Sequence, residues 1–364
     1  MKQFRVGKSN RLVGVFITCL LFVTSVSAQV ETIVPEVVEN AQPVTVQRIK
    51  VYSPAIAGNL EGESAERNAI VFLPPSYNKS TGKRYPVVYA LHGYFIDPEI
   101  WSKEIHVPQT IEGAYALGSQ EMIVVLPDSR TVYSGSMYSN SVTTGNFEDF
   151  IAHDVVSYID SHYRSIAKRE SRGLVGHSMG GYGASRIGMK HADVFGGLYI
   201  MSPCCLSARD PGPVNLDNEK LLAALKSPQD SDKMHFMLKA QLAVSAAWSP
   251  NPKNPPLYLD LPYKDGELQK EVVAKWAANA PLAFVDQYIS ELKKYRDISI
   301  DVGDQDGLRV DTEKLHNILD SYDVSHHFEI YKGNHTSAVA DRFQNHVMPF
   351  FSSALCFSNT CNNE

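Results

Sequence analysis

The stretch Arg172-Gly173-Leu174-Val175-Gly176-His177-Ser178-Met179-Gly180-Gly181-Tyr182-Gly183 decides how the rest of the chain is read. Gly173-Leu174-Val175 is a short apolar strand, and a helical pattern over about 179–191 starts directly after Ser178. The G-x-S-x-G spacing between them predicts a sharp strand-to-helix turn that holds the serine in strained backbone geometry. Glycine is needed two residues to either side because a Cβ there would collide with the turn. The turn also aims the backbone N–H of Met179, at the helix N-terminus, toward charge developing on a substrate oxygen.

Outward from this turn, short apolar runs alternate with helical patterns. Strands are expected over 46–52, 68–73, 85–91, 121–126, 173–175, 197–201, 298–302 and 327–330. The runs Tyr85-Pro86-Val87-Val88-Tyr89-Ala90-Leu91 and Glu121-Met122-Ile123-Val124-Val125-Leu126 are nearly continuous, as in strands buried on both faces. Helices are expected over 147–163 (capped by Asn146), 179–191, 311–322 and 337–352. This alternation means an α/β fold around a mostly parallel sheet. The segment 206–282 breaks the rhythm with helical patterns at 219–226 and 232–247, then Ser249-Pro250-Asn251-Pro252-Lys253-Asn254-Pro255-Pro256. An excursion of that length between two strands reads as a lid-like insertion or as an ornament without substrate contact.

The 364 residues carry 34 Lys+Arg against 40 Asp+Glu, a net charge of −6. Part of that sum belongs to a segment expected to be removed. Lys2, Arg5, Lys8 and Arg11 precede an apolar run from Leu12 to Val23, and Val26 and Ala28 form a small-residue cleavage pattern. Residues 1–28 thus read as a signal peptide too short for a comfortable membrane span. Its loss leaves 336 residues with a net charge of −10. The mature chain is therefore expected to be exported, periplasmic or extracellular, without a membrane span. Its acidity excludes a nucleic-acid surface, which needs clustered Lys/Arg. Residues 29–45 read as an extended leader, 46–355 as one domain containing the insertion, and 356–364 as a tail. Export permits a bridge between Cys356 and Cys361, whereas adjacent Cys204 and Cys205 can hardly pair without strain.

A serine hydroxyl needs a base, and the base needs a carboxylate to fix its tautomer. On a turn of this type the acid and then the histidine follow later in the chain. His335 stands after the last strand, in Gly333-Asn334-His335. The strand 298–302 runs into Gly303-Asp304-Gln305-Asp306. Asp301 lies within it, and Asp304 and Asp306 are rivals in the loop past its end. His92-Gly93 ends an earlier strand where a second oxyanion donor, the Tyr94 N–H, belongs. His106, His153, His191, His326 and His327 have no ligand spacing, and neither H-E-x-x-H nor C-x-x-C occurs, so no metal is expected. Gly180-Gly181-Tyr182-Gly183 matches no phosphate- or dinucleotide-binding loop, so no cofactor is expected either.

Together with Gly145-Asn146-Phe147-Glu148-Asp149-Phe150 and Tyr158-Ile159-Asp160-Ser161-His162-Tyr163-Arg164, these pieces resemble the putative-esterase family of α/β-hydrolases. That group includes esterase D, feruloyl and acetylxylan esterases, enterochelin esterases and mycolyltransferases. The resemblance covers roughly 65–205 and 295–350. It implies the α/β-hydrolase fold, with Ser178 as nucleophile, His335 as base and Asp306 as its orienting acid. The backbone N–H groups of Tyr94 and Met179 would hold the oxyanion. It also implies a serine esterase acting on a small-molecule or polysaccharide-linked ester through an acyl-enzyme. Two other functions share this pattern: an acyltransferase using the same triad, and a catalytically silent binding module.

Overall fold

The computed structural model describes residues 32–358. The signal peptide expected over 1–28 and Cys361 lie outside these residues. Eight strands form the main sheet: β1 Thr45–Tyr52, β2 Glu66–Leu73, β3 Val87–Leu91, β4 Ile123–Pro127, β5 Arg172–His177, β6 Gly197–Met201, β7 Asp297–Gly303 and β8 His327–Tyr331. Their spatial order is β1-β2-β4-β3-β5-β6-β7-β8. The pairs β1–β2 and β2–β4 are antiparallel, and every pairing from β4 onward is parallel. All eight expected strands form, and the parallel set brings its carboxyl ends to one edge, where open α/β sheets hold their ligands.

The central strands are apolar throughout because helices cover both faces. In β3, Val87, Tyr89 and Leu91 enter one core while Val88 and Ala90 enter the other. β4 alternates likewise, with Ile123 and Val125 opposed to Val124 and Leu126. The longer helices are α1 Pro98–Glu104, α2 Val107–Ala116, α3 over 147–162, α4 Met179–Lys190, α5 Leu216–Ala223, α6 Phe236–Trp248, α7 Lys270–Ala278, α8 Arg309–Ser321 and α9 over 339–354. Trp101 of α1, Val107 and Ile111 of α2 and Phe343, Val347 and Phe351 of α9 build one core. Phe147, Phe150 and Ile159 of α3, Ile187 of α4 and Leu315 and Leu319 of α8 build the other. Both α3 and α9 widen into π-helical turns, at Phe150–Val155 and Phe343–Val347.

Two local expectations change, and the cysteines behave as expected. Helices α1, α2 and α7 form where none was anticipated. The Asn146 side chain makes no capping bond at α3; instead Asn140 Oδ1 accepts from the Asp149 N–H at 3.1 Å. Cys204 and Cys205 are free and half-buried, and Cys356 is disulfide-bonded. The part of the leader described, 32–44, lies extended against α2 and α9. Ile33 N–H donates to Ser337 O at 2.8 Å, and Gln109 Nε2 donates to Pro35 O at 2.7 Å.

The insertion leaves β6 and returns at β7, and it docks on loops from the carboxyl edge. Trp248 Nε1 donates to Ser139 Oγ at 3.2 Å, and Ser141 Oγ donates to Ala246 O at 2.6 Å. A small core of Tyr133 with Leu222, Leu238, Leu242, Leu257 and Leu259 closes beneath it. Among the described residues no helix is long and apolar enough to cross a membrane.

Candidate active site

Strand β5 passes into α4 through Ser178, whose backbone is held at φ 59°, ψ −115°. Its neighbours show why this conformation is imposed. A Cβ on Gly176 would sit 2.0 Å from the carbonyl oxygen of Gly180, and one on Gly180 would sit 1.9 Å from that of Leu91. The turn therefore packs backbone against backbone, and only glycine fits. The Ser178 N–H donates to Met201 O at 3.2 Å, while Ser178 O accepts from Tyr182 and Cys204, both at 3.0 Å. A non-glycine residue at positive φ persists only where its surroundings over-determine it, as they do here.

Ser178 Oγ lies 2.9 Å from His335 Nε2, and His335 Nδ1 lies 2.8 Å from Asp306 Oδ2. The carboxylate accepts, so Nδ1 carries the proton and Nε2 faces the serine as an acceptor. The second Asp306 oxygen accepts the Leu308 N–H at 2.9 Å. Burial raises the Asp306 pKa, but the hydrogen bond and charge of His335, with Leu308 and Ser202, outweigh it and hold the group below its ordinary value. Asp306 is buried at the site while the His335 side chain stays 35% exposed, which leaves the serine–histidine pair open to a reactant.

The two competing aspartates are occupied elsewhere. Asp304 Oδ1 accepts the Gly333 N–H at 2.9 Å, bracing the turn that carries His335. Asp301 accepts from Tyr199 Oη at 2.7 Å and Arg342 Nε at 2.9 Å within the interior. Burial pushes it up to about 6 against the pull of Arg342 and Tyr199.

Met179 opens α4, so its N–H has no acceptor within the helix. Gly93, the residue before Tyr94, approaches the elbow closely, since a Cβ there would lie 3.6 Å from Ser178 Cβ and 3.8 Å from His177 O. His92 fixes that turn from within. Its Nδ1–H donates to Gly93 O at 2.8 Å, its Nε2 accepts the Ser129 N–H at 3.0 Å, and its carbonyl accepts from Tyr138 Oη at 3.0 Å. The Tyr94 ring meets Phe236 of the insertion with centroids 5.3 Å apart, and Phe95 lies 5.7 Å from Phe236.

Sequence reasoning identified His177 only as a filler of the G-x-S-x-G motif. Its Nε2–H donates to the His335 carbonyl oxygen at 2.8 Å, and the two rings are 4.8 Å apart. Burial, reinforced by the charge of His335, lowers its pKa to about 3. The ring is thus a neutral tether from the nucleophile turn to the backbone of the histidine loop. A histidine within the motif is the only sequence signal of that role.

The residues 63–355 match the family described as "Putative esterase", and the chain belongs to that family. Among curated relatives, esterases Rv1288 and MT1326 of Mycobacterium tuberculosis are each 28% identical over 148 residues. The aligned part is 40% of this chain and only 30% of theirs. An endo-1,4-beta-xylanase/feruloyl esterase of Xylanibacter ruminicola is 27% identical over 39% of this chain and 20% of its own length. Among solved structures, a ferulic acid esterase shares the fold at TM-score 0.61 and 21% identity, covering 86% of this chain and 99% of that one. The Staphylococcus aureus serine hydrolase FphF does so at 0.57 and 18%, covering 85% and 98%. These likenesses show the α/β-hydrolase fold.

Proposed function

We propose that the protein is an exported serine hydrolase that cleaves carboxylic esters through an acyl-enzyme, and the unbroken Ser178–His335–Asp306 relay carries this reading. Ser178 Oγ attacks the ester carbonyl as His335 Nε2 takes its proton. Asp306, kept ionised, stabilises the imidazolium through Nδ1–H. The carbonyl oxygen gathers charge and is met by the N–H groups of Met179 and Tyr94. The tetrahedral intermediate collapses, His335 returns the proton to the leaving alkoxide, and the alcohol departs. Water, deprotonated by the same imidazole, then attacks the acyl-serine and releases the acid.

Family membership and the names of the relatives, esterases and a feruloyl esterase, support the reaction class. Export rests on the basic start and apolar run of residues 1–28. The aromatic trio Tyr94, Phe95 and Phe236 beside the oxyanion turn favours an ester carrying a ring, either small or attached to a polysaccharide. A fluorophosphonate probe is expected to label Ser178 in the folded protein, and Ser178→Ala is expected to abolish both labelling and p-nitrophenyl ester hydrolysis with the fold retained. Turnover persisting in the folded variant would overturn the assignment.

A further inference from the structure

At the opposite end of the sheet from the triad, the last two turns of α8 meet the residue that enters β8. His316 and Asp320 lie one helical turn apart on α8, and His326 immediately precedes β8. One nitrogen from each ring and one oxygen of Asp320 lie within 4.8 Å of one another. We propose that these three side chains form a site for a divalent transition ion of the Zn2+ class, which clamps α8 to the edge strand β8.

The ligand atoms are already prepared. His326 Nδ1 lies 2.7 Å from the carbonyl oxygen of Val324, which only accepts, so Nδ1 holds a proton and Nε2 is the nitrogen turned toward His316 and Asp320. A backbone carbonyl fixing the far nitrogen is the arrangement by which proteins orient metal-binding histidines. The His326 side chain is only 1% exposed, so its position is set by packing. His316 lies flat on Phe328, with centroids 4.2 Å apart and planes 14° apart, which sets its plane as well. Its Nδ1 points at His326 Nε2 across 2.8 Å. Asp320, 61% exposed, closes the third side with one oxygen 3.9 Å from His326 Nε2 and the other 3.5 Å from His316 Nε2.

Ligands around one Zn2+, each about 2.0–2.2 Å from the ion, stand about 3–3.5 Å apart. The two rings must separate by a few tenths of an ångström, and the solvent-facing carboxylate must swing inward. Without the ion, one proton holds the two nitrogens together. With it, His316 Nδ1 ligates and the ring's proton moves to Nε2, facing Asp320. Two imidazoles and a carboxylate leave a fourth position for water, and this is a donor set that suits zinc.

In a second cluster, Asp149, His153 and His191, one ligand atom of each also lies within 4.8 Å of the others, but the charge around it is wrong. His191 Nε2 lies 3.4 Å from Glu148, whose carboxylate is shared with Arg186 at 2.5 Å and Lys190 at 3.4 Å. Those two cations oppose a further dication. Asp320, in contrast, pairs with no Lys or Arg among the described residues.

The test is calorimetric titration of ZnCl2 into the full chain after chelator treatment and dialysis, with thermal unfolding alongside. One ion per chain and a raised Tm are expected. His326→Gln should weaken binding at least about tenfold. Asp320→Asn, which alters only an exposed group, should weaken it too and decides the matter if the buried variant fails to fold. The double variant His153→Gln/His191→Gln should bind as the parent does. No saturable uptake, uptake undiminished by Asp320→Asn, or uptake lost only with His153 and His191 would each overturn the site.

Discussion

At the elbow around Ser178, one added methyl group would overlap a backbone carbonyl, and α4 is buried from Met179 to Met189. The insertion over 206–282 is built differently. Leu216, Leu221, Phe236, Met237 and Leu268 stand exposed on it, and it encloses an open cavity of about 860 Å3 lined by Leu222, Leu257, Leu259 and Tyr263. No member of the triad borders that cavity. The elbow is fixed by close contact between main chains, whereas the insertion is held by a small apolar core and a few side-chain tethers. On the proposed function, chemistry therefore belongs to the part of the molecule that tolerates least change, and the more tolerant insertion stands apart from it.

Six substitutions probe that difference. The largest effect is expected from Asp306→Asn, which leaves the geometry but loses the tautomer, lowering kcat for an ester by about 10^4-fold. Asp304→Asn, in the same loop, should leave kcat essentially unchanged. Gly180→Ala should cost at least about 4 kcal/mol in a urea titration, because its Cβ has no space. Leu221→Ala, on the insertion and 55% exposed, should cost under about 0.5 kcal/mol. Equal losses from the two would remove the contrast.

The third test concerns acid. His177 is neutral in the fold with its pKa lowered to about 3, while in the unfolded chain it takes up a proton below about 6.5. Its contribution is complete above that unfolded value and drains away as the pH falls toward 3. At pH 5 the loss is on the order of 2 kcal/mol. His177→Gln keeps a donor for the His335 carbonyl and cannot titrate, so its urea midpoint should fall less between pH 7.5 and 5 than the parent's. The smallest effect belongs to Phe236→Ala, which should raise KM for an aromatic ester about two- to fivefold with kcat little changed. A large drop in kcat instead would place the insertion inside the chemistry.

Strands β3, β4 and β6 were legible because burial on both faces forces a continuous apolar run, and the elbow because only glycine fits its backbone. Ser178 and His335 followed from chain order. Asp306 was separable from Asp304 only through the resemblance, since both occupy one loop and the decision lies in which carboxylate turns toward His335. The tether from His177 to His335 was invisible because it spans 158 residues. The layout of the insertion was hidden for the same reason. Its anchors join Ser141 to Ala246 and Thr143 to Tyr258, across 105 and 115 residues, and no local pattern encodes them. The zinc-class cluster escaped for a related reason: His316 and His326 are brought together by a helix end and a strand start rather than by a fixed spacing.

The strand order carries a consequence for how activity appears during synthesis. From β5 onward each strand joins the sheet beside its predecessor, so the sheet grows outward in the order the chain is made. Ser178 follows directly on the first of these strands and His335 follows the last, 157 residues later. On the proposed function, a chain ending before His335 lacks the base that Ser178 needs. On that reading, activity requires the chain to be made through to His335.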